Sequence, residues 1–562
     1  METAIKSLYE EWIASAVDDG SLIDELKSIE GDEEQIYDRF YRALEFGTAG
    51  LRGVLGAGTN RMNIYTVRVA TQGLANYLKN HYSESSVSIS YDSRINSTLF
   101  SEEAARVLAA NGIKVYLSKE LQPTPVVSYA VRYFKSQAGI MVTASHNPSK
   151  YNGYKCYGSD GCQMTDVAAG EVYSEIQKLD CFKDVKLVDF KEALANGSIE
   201  YIGEEFYESY LEKVQEQSIR KGICEGSDLK VVYTPLNGAG NKLVRKILDR
   251  TGVKDVHIVK SQELPDGNFP TCPYPNPEIR EALEEGLKLC AEVKPDLLLA
   301  TDPDSDRVGI AVPDGDSYRL MTGNETGIML TDYILKSRIE LGTLPKDPVM
   351  VKTVVTSVLV DRLAAKYGVE VKNVLTGFKY IGEQILHLEE KNEEYRYVFG
   401  FEESYGYLSG SYVRDKDAVD AAFLICEMFC YYKTRGISLL DKLDELYKRH
   451  GYCLNTLYSY QFEGAAGFVK MKEIMKDFQT AGISEFGGRK VETLLDYNTG
   501  IDGLPKENVL KFLLEGHGSV VVRPSGTEPK LKTYVTVSAP DKAAAEVIEK
   551  KIVEDLKKRI NG

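Results

Sequence analysis

Short apolar, β-branched runs that stop abruptly in polar loops recur along this chain and constrain its fold more than any other feature. Amphipathic segments such as SEEAARVLAANG and NKLVRKILDRTG lie between them and have helical periodicity. The runs are VSISYD (87–92), IKVYLS (113–118), GIMVTAS (139–145), LKVVYTP (229–235), VHIVKS (256–261), LLLATD (297–302), VMVKTVV (349–355), KNVLTG (372–377) and YVFGFEES (397–404). Continuous apolar strands that alternate with helices are typical of parallel-type sheets covered by helices on both faces.

This repetition predicts an α/β fold with three similar tandem domains, each built on a mixed sheet. The last part of the chain differs, because the strands VVVRPS and KTYVTVSA precede one long final helix, which predicts a smaller α+β domain. A chain of 562 residues has room for about four domains. We expect them at 1–210, 211–325, 326–445 and 446–562.

Composition narrows the class of partner and the compartment. The net charge of −16 argues against nucleic acid as a ligand. The sequence has no apolar run of the ~20 residues that a membrane helix needs, and its acidic start is unlike a signal peptide. The nine cysteines form no C-x-x-C pair. We therefore expect a cytoplasmic protein without a membrane or nucleic-acid partner, and a monomer or weak dimer.

Function-bearing loops in α/β sheets lie beyond the carboxyl ends of strands. The first such loop contains Ser145 and His146, with Pro148 fixing the turn. A serine at the end of a buried strand, beside a histidine, is a plausible nucleophile, although Ser-His-Asn-Pro is also ordinary turn chemistry. Lys155 follows ten residues later and could return to the same pocket as a base.

The second loop places Asp302, Asp304 and Asp306 directly after the strand LLLAT, with Arg307 next to them. Three carboxylates at alternate positions repel one another unless a cation neutralises them. Oxygen ligands without His or Cys select a hard ion such as Mg²⁺. The alternative is an acidic, solvated turn, which the apolar strand in front of it disfavours.

The third and fourth loops have the chemistry of sugar and phosphate recognition. Glu402 and Ser404 are two residues apart, so on an extended segment they would point to the same side and could bind sugar hydroxyls. Thr376 and Gly377 end the preceding strand and could face the same space. The fourth loop offers a guanidinium fork, two hydroxyls and a glycine for a phosphate, in residues Arg523, Ser525, Gly526 and Thr527.

In this order, the four loops resemble the phosphoserine, metal, sugar and phosphate loops of the α-D-phosphohexomutase superfamily, and the resemblance covers nearly the whole chain. The segment FGTAGLRG, which contains Arg52, is similar to the phosphoglucomutase and phosphopentomutase branch called phosphoglucomutase-2-like. The resemblance implies four domains around a central cleft.

The resemblance also implies a role for each residue. Ser145 would be phosphorylated and would bind Mg²⁺ together with Asp302, Asp304 and Asp306. Arg307 and Arg52 would stabilise charge, and Lys155, supported by His146, would carry protons; some branches use a histidine where this chain has Gly406. Substrate would be bound by Thr376, Gly377, Glu402, Ser404, Lys416, Arg523, Ser525, Gly526 and Thr527.

The implied reaction interconverts glucose 1-phosphate and glucose 6-phosphate, through glucose 1,6-bisphosphate as intermediate and activator. The implied enzyme is an intramolecular phosphotransferase of the isomerase class. Phosphopentomutase, phosphomannomutase and glucose 1,6-bisphosphate synthase activities are alternatives within the family. Outside it, LLLATDPDSD also resembles the strand and D-x-D element of Mg²⁺-dependent phosphatases, in which Asp302 would be the nucleophile. A non-enzymatic binding homologue is a third class.

Overall fold

The computed structural model describes residues 3–47, 50–462, 464–524 and 530–561, without the side chains of 464–466 and 468. The chain divides into two compact units. The first unit comprises Met1–Leu320, Gly382–Glu394 and Gly406–Glu427, and the second comprises Met321–Ile381, Tyr395–Tyr405 and Met428–Gly562. Among the described residues, no helix combines the length and the apolar character needed to cross a membrane.

The first half of the first unit begins with helices and continues as an α/β module. Its elements are α1 (Thr3–Ser15), α2 (Gly20–Ser28), α3 (Glu33–Phe40), β1 (Gly50–Val54), α4 (Ile64–His81), β2 (Ser86–Tyr91), α5 (Ser97–Ala110), β3 (Lys114–Leu117), α6 (Thr124–Phe134), β4 (Ala138–Val142), β5 (Tyr151–Gly158), α7 (Asp166–Ile176), α8 (Phe190–Ala195), β6 (Ile199–Tyr201) and α9 (Glu204–Gln215).

These strands form one mixed sheet in the order β1-β5-β4-β2-β3-β6. β4, β2, β3 and β6 are parallel, whereas β5 is antiparallel to both β4 and β1. The N-terminal helices share its core, because Trp12 on α1 is 1% exposed and its ring packs edge-on against Phe40, Tyr65 and Phe182. Because β5 reverses direction, the loop after β4 is the connection of a hairpin.

The second half of the first unit repeats this design. Its elements are β7 (Lys230–Thr234), α10 (Gly240–Arg250), β8 (Asp255–Ile258), α11 (Lys260–Glu263), α12 (Glu284–Val293), β9 (Leu297–Thr301), β10 (Val308–Asp314) and β11 (Ser317–Met321), with a 3₁₀ turn at Arg280–Leu283. The sheet order is β11-β10-β9-β7-β8. β8, β7 and β9 are parallel, and β10 returns antiparallel to β9.

The following segment supplies most of a third α/β module. Its elements are α13 (Gly323–Glu340), β12 (Val349–Thr353), α14 (Leu359–Lys366), β13 (Glu370–Val374), α15 (Phe378–Glu389), β14 (Tyr397–Glu402), β15 (Gly406–Leu408), α16 (Ala418–Lys433) and α17 (Leu439–His450), with a 3₁₀ turn at Glu394–Arg396. In the second unit, β12 lies between β13 and β14 and is parallel to both.

The C-terminal part of the second unit is an antiparallel sheet packed against helices. Its elements are β16 (Tyr452–Gln461), α18 (Gly464–Thr480), β17 (Glu485–Phe486), β18 (Arg489–Asp496), β19 (Leu510–Leu514), β20 (Gly518–Pro524), β21 (Lys530–Ala539) and α19 (Lys542–Asn561), with a 3₁₀ turn at Tyr497–Thr499. The order is β16-β21-β20-β19-β18-β17. One face carries the apolar core, including Phe512, Val520 and Val535. The register places Lys511, Arg523 and Tyr534 on the other face.

Candidate active site

The loop that follows β4 holds Ser145 in an unusual backbone conformation. Ser145 has φ of 52°, in the left-handed region that non-glycine residues seldom adopt. Its backbone N–H donates to Thr143 Oγ1 (2.8 Å), and the Thr143 hydroxyl donates to Asp92 Oδ2 (2.6 Å). Ser145 is 3% exposed. A strained residue held by such a network is typical of functional loops.

The loop between β9 and β10 is built in the same way. Ser305 at its centre has φ of 49°. Asp302, Asp304 and Asp306 are all buried, and each offers a carboxylate oxygen within 4.8 Å of the others. The segment after β7 backs this loop so closely that a Cβ on Gly238 would lie 2.4 Å from Pro303 Cα. Backbone packing therefore holds the loop that carries the aspartates in place without the help of a ligand.

The two loops meet at Ser145. The Ser145 hydroxyl donates to Asp302 Oδ2 at 3.1 Å, and it lies 3.1 Å from His146 Nδ1. Thr124, at the start of α6, attaches the first sheet to the same cluster. Its hydroxyl donates to Asp304 Oδ2 (2.9 Å), and its backbone N–H donates to the Asp304 carbonyl (2.8 Å). The predicted nucleophile and the predicted metal ligands thus share one buried site.

Two lysines complete the cluster. Lys155 lies on β5, opposite Met141 of β4, so the hairpin returns it to the loop. Its Nζ lies 2.9 Å from Asp304 Oδ2 and 3.4 Å from Asp306 Oδ2. Lys416, from the loop after β15, places Nζ 3.2 Å from Asp306 Oδ2. The sequence suggested a substrate contact for Lys416, and its observed partner is the aspartate cluster.

Burial and neighbouring charges shift the pKa values of the groups in this cluster in different directions. Burial raises the pKa of Asp302 well above its ordinary value, and the charges of Asp304 and Asp306 raise it further. Burial also acts on Asp304, but the Lys155 ammonium group and the hydrogen bonds to this carboxyl, including that from Thr124, together outweigh it and lower its pKa. Burial would lower the pKa of Lys155, yet Asp304 and Asp306 raise it. Lys155 is therefore an ammonium ion here, not the neutral base that its desolvation alone would suggest.

The donor set fits a hard cation. Among the residues that the structure describes, Asp304 Oδ1 and Asp306 Oδ1 are buried with no hydrogen-bond partner. Buried carboxylate oxygens without donors are costly unless a cation binds them. The ligands of this cluster are all oxygens, which favour ions such as magnesium. The residues present are therefore suited to hold a divalent metal.

Arginine charges also act at this site, on His146 next to Ser145. Burial lowers the pKa of His146 well below its ordinary value, and the charges of Arg307 and Arg52 lower it further. The His146 ring is therefore neutral. Arg307 is anchored by an ion pair with Glu278, and its Nε lies 3.9 Å from Asp306 Oδ1. These cations suit a site for an anionic phosphoryl group.

The second unit contains the other predicted site residues. Thr376 follows β13, and its buried Oγ1 has no hydrogen-bond partner within the described part of the chain. Gly377 has φ of 121°, a conformation that favours glycine. Glu402 is buried at the end of β14, but Ser404 lies in the turn that follows, so the expected alternation on one extended segment is wrong.

The fourth loop is described only at its start. Arg523 lies near the end of β20, and its Nη2 is 3.2 Å from Glu507 Oε1. The predicted residues Ser525, Gly526 and Thr527 lie outside the described residues.

Several polar residues of these sites were missed by the sequence analysis. Asp92 and Thr124 follow strand β2 and the loop after β3, at the same sheet edge as Ser145. Their position beyond strand carboxyl ends was the available signal. Lys352 and Lys511 are both buried in the second unit, and burial together with the Lys352 charge lowers the pKa of Lys511 to about 8. No sequence pattern connected that pair.

Four models of the phosphoglucomutase/phosphomannomutase family match the chain in order. They are alpha/beta/alpha domain I at 43–181, domain II at 208–315, domain III at 322–450 and the C-terminal domain at 469–554. This chain belongs to the phosphoglucomutase/phosphomannomutase family. The predictions of an α-D-phosphohexomutase and of its α/β fold are thereby confirmed.

Relatives and solved structures agree with this assignment. A phosphoglucomutase of Staphylococcus saprophyticus is 37% identical over 530 residues, covering 92% of this chain and 94% of the relative. A phosphoglucomutase of Staphylococcus aureus is 37% identical over 544 residues, covering 94% and 95%. These relatives support the predicted phosphoglucomutase branch, and with it an isomerase that transfers phosphoryl groups.

Two solved structures share the fold. The Paramecium phosphoglucomutase parafusin, in an open form, has a TM-score of 0.71 at 18% identity and covers 92% of this chain and 96% of its own. A putative phosphomannomutase of Thermus thermophilus has a TM-score of 0.70 at 23% identity and covers 93% and 100%. At these identities they show that this phosphoglucomutase/phosphomannomutase family member has the family fold.

Proposed function

We propose that this chain is a phosphoglucomutase that interconverts glucose 1-phosphate and glucose 6-phosphate through glucose 1,6-bisphosphate. The observation that carries the proposal is the 3.1 Å contact between Ser145 Oγ and Asp302 of a buried aspartate triad. The Ser145 hydroxyl therefore lies beside a candidate metal site. Within the described residues, this triad is the only group of three acidic side chains found close enough together to hold a metal ion. The relatives named phosphoglucomutase support glucose phosphates as substrates.

Each half-reaction moves one phosphoryl group. In the first, the P–O bond to phosphorylated Ser145 breaks while a P–O bond forms to the free hydroxyl of the sugar monophosphate. The sugar hydroxyl gives up its proton as that bond forms, and the Ser145 oxygen takes up a proton as its bond breaks, so that the serine ends as a hydroxyl. After the bisphosphate has turned over, its other phosphoryl group moves to Ser145 and the isomeric monophosphate is released. Positioning and charge stabilisation govern such transfers.

The residues of the first unit would divide this work. Ser145 carries the phosphoryl group, and Arg307 and Arg52 add positive charge around it. Lys155 is the proposed proton carrier: as an ammonium ion it would first give a proton to the leaving Ser145 oxygen, and it would then take one from the sugar hydroxyl. His146 would support it, because its Nδ1 lies 3.1 Å from Ser145 Oγ. Asp302, Asp304, Asp306 and an oxygen on Ser145 would hold Mg²⁺, which supplies positive charge beside the transferring group.

The remaining site residues keep the roles that the family resemblance implies. Thr376, Gly377, Glu402 and Ser404 are the proposed contacts for the sugar hydroxyls, and Lys416 of the first unit is a further proposed contact. Arg523, together with Ser525, Gly526 and Thr527, would bind the phosphate that is not reacting. A site that accepts either phosphate allows both orientations of the bisphosphate. The four-domain boundaries, the cytoplasmic location and the monomer or weak dimer stay predictions.

Phosphorus NMR tests this proposal directly. Purified protein with Mg²⁺ and a trace of glucose 1,6-bisphosphate is given glucose 1-phosphate, mannose 1-phosphate and ribose 1-phosphate in parallel. We expect glucose 1-phosphate to convert fastest to the 6-phosphate. Ser145→Ala should be inactive, whereas Ser149→Ala, a control in the same loop, should keep wild-type activity.

The other outcomes separate the alternatives. Faster conversion of the pentose or mannose phosphate would keep the mechanism and change the substrate. Accumulation of the bisphosphate would indicate a synthase. Release of inorganic phosphate as the main product, with Ser145→Ala still active, would instead support the phosphatase with Asp302 as nucleophile.

A further inference from the structure

Arg94 lies buried beneath the loop that carries Ser145, and it is 3% exposed. Its Nη1 donates to the carbonyl oxygens of Pro148 and Tyr151, each at 3.0 Å. Its Nη2 donates to the carbonyl oxygens of Ser145 and Asn147. One guanidinium group therefore binds backbone acceptors from the nucleophile itself to the first residue of β5.

Only an arginine can make this set of contacts. The guanidinium group is planar and presents its donors as a rigid fork, whereas a lysine ammonium group is a compact point charge. Each of the two terminal nitrogens of Arg94 donates two hydrogen bonds, and the four acceptors are four different carbonyl oxygens. An ammonium group has only three donors, so it would leave at least one of these four carbonyls without its bond.

Asp92 holds Arg94 and the serine loop in one network. Its carboxylate accepts the Arg94 backbone N–H at 3.0 Å, and Asp92 Oδ2 lies 3.4 Å from Arg94 Nε. The same Oδ2 accepts the Thr143 hydroxyl, which in turn accepts the Ser145 N–H. The residues after β2 thus fix both the N–H and the carbonyl group of Ser145.

A segment of the second sheet's module presses on this turn from the other side. The Phe269 ring centroid lies 5.2 Å from Arg94 Cζ. A Cβ on Gly267 would lie 2.5 Å from Ile95 N and 2.8 Å from Ser93 O. Arg94 is consequently packed between the serine loop and the module that carries the aspartate triad, which restricts its movement.

We propose that Arg94 is a positioning residue for phosphoryl transfer, which holds Ser145 in its left-handed conformation so that Oγ faces Asp302. The inference rests on the proposed function of Ser145. Arg94 itself reaches the loop backbone and not the reacting atoms, so it acts through Ser145. A displacement of about 1 Å at a reacting atom can lower a rate roughly 100-fold. The hydrogen bonds of Arg94 to the serine loop should therefore affect turnover more than substrate affinity.

The test compares Arg94→Lys with Arg68→Lys. Arg68 is equally buried, at 4% exposure, but its guanidinium pairs with Asp18 and Glu103 and does not contact the loop. For each protein we would measure kcat and KM for glucose 1-phosphate, the melting temperature, and the rate at which glucose 1,6-bisphosphate phosphorylates the dephosphorylated enzyme, followed by intact mass.

We expect Arg94→Lys to lower kcat and the phosphorylation rate about 100-fold, with KM changed less than about threefold. Both variants should lower the melting temperature, and by similar amounts. The kcat of Arg68→Lys should stay near that of the wild type. Equal effects of the two variants on kcat, or a loss in Arg94→Lys that lies in KM alone, would overturn the positioning role.

Asp92→Asn serves if Arg94→Lys does not fold. It removes the charge that faces Arg94 while it keeps the shape of the side chain, and about a tenfold loss of the phosphorylation rate is expected. An unchanged rate would count against the inference. Should the wild type form no phosphoserine at Ser145, the proposed function fails and the inference falls with it. If it does form one and Arg94→Lys forms it equally fast, only the inference fails.

Discussion

Lys155 Nζ lies 2.9 Å from Asp304 Oδ2, although the two residues are 149 positions apart in the chain. The contact joins β5 of the first sheet to the loop that follows β9 of the second sheet. The Asp304 side chain is fully buried and the Lys155 side chain is 12% exposed, and each is the main counter-charge of the other. This ion pair connects the serine loop electrostatically to the aspartate triad.

The Lys155–Asp304 pair should be strongly coupled in stability. Removing one partner of a buried ion pair leaves an uncompensated charge and costs about 3–5 kcal/mol. Lys155→Met should therefore lower the melting temperature in chelator, and adding Asp304→Asn to it should restore part of the loss. A double-mutant cycle by calorimetry measures this coupling. Additive effects of the two substitutions would contradict it.

Metal binding should be visible as thermal stabilisation. A ligand that binds only the folded state stabilises it, so Mg²⁺ should raise the melting temperature of the wild type measured against chelator. Because burial and like charge raise the pKa of Asp302, Asp302→Asn should be more stable than the wild type in chelator. The same variant should respond less to Mg²⁺ and lose roughly 100-fold or more of its activity. A full Mg²⁺ response in Asp302→Asn would exclude Asp302 as a ligand.

Gly238→Ala should displace the metal loop. The new Cβ would meet Pro303 backbone atoms at 2.4 Å, a contact that cannot be relieved by a side-chain rotation. We expect a lower melting temperature and weaker stabilisation by Mg²⁺. Gly170→Ala is the matched control, because nothing lies within 4 Å of its Cβ on helix α7. Similar behaviour of the two variants would show that the loop tolerates the contact.

Lys511 should make stability depend on alkaline pH. Burial, with Lys352 nearby, lowers the folded-state pKa of Lys511 to about 8 from 10.5. Between these values the unfolded chain binds more protons, so stability rises with pH, at most by ~1.4 kcal/mol per unit, and the gain is complete above the unfolded pKa. Below pH 8 the penalty for the buried charge is fully present.

Lys511→Met removes that dependence. The melting temperature of the wild type, minus that of the variant, should increase from pH 7.5 to pH 9.5. The variant also loses the hydrogen bond from Lys511 Nζ to the Val354 carbonyl (2.6 Å), but this loss is the same at both pH values. A difference that stays constant over this range would mean that Lys511 keeps its ordinary pKa.

The sequence by itself located strands such as β4 and β9 and the polar loops that end them, but not the antiparallel strands β5 and β10 that follow those loops. Runs such as GIMVTAS and LLLATD are too apolar for any place but a buried strand, and Ser145 and Asp302 follow at their polar ends. The family assignment followed from four such loops in one order. These are local properties, because each depends on residues close together in the chain.

Only the tertiary structure decided which groups meet and in what charge state. The antiparallel return of β5 brings Lys155 to the aspartates, and their proximity keeps it charged against the desolvation that would neutralise it. The turn after Glu402 breaks an alternation that the sequence pattern had suggested. Arg94 gained its role from carbonyl groups more than 50 positions away. Backbone acceptors carry no sequence signature, and electrostatic effects depend on distances in space, so neither could be read from the order of residues.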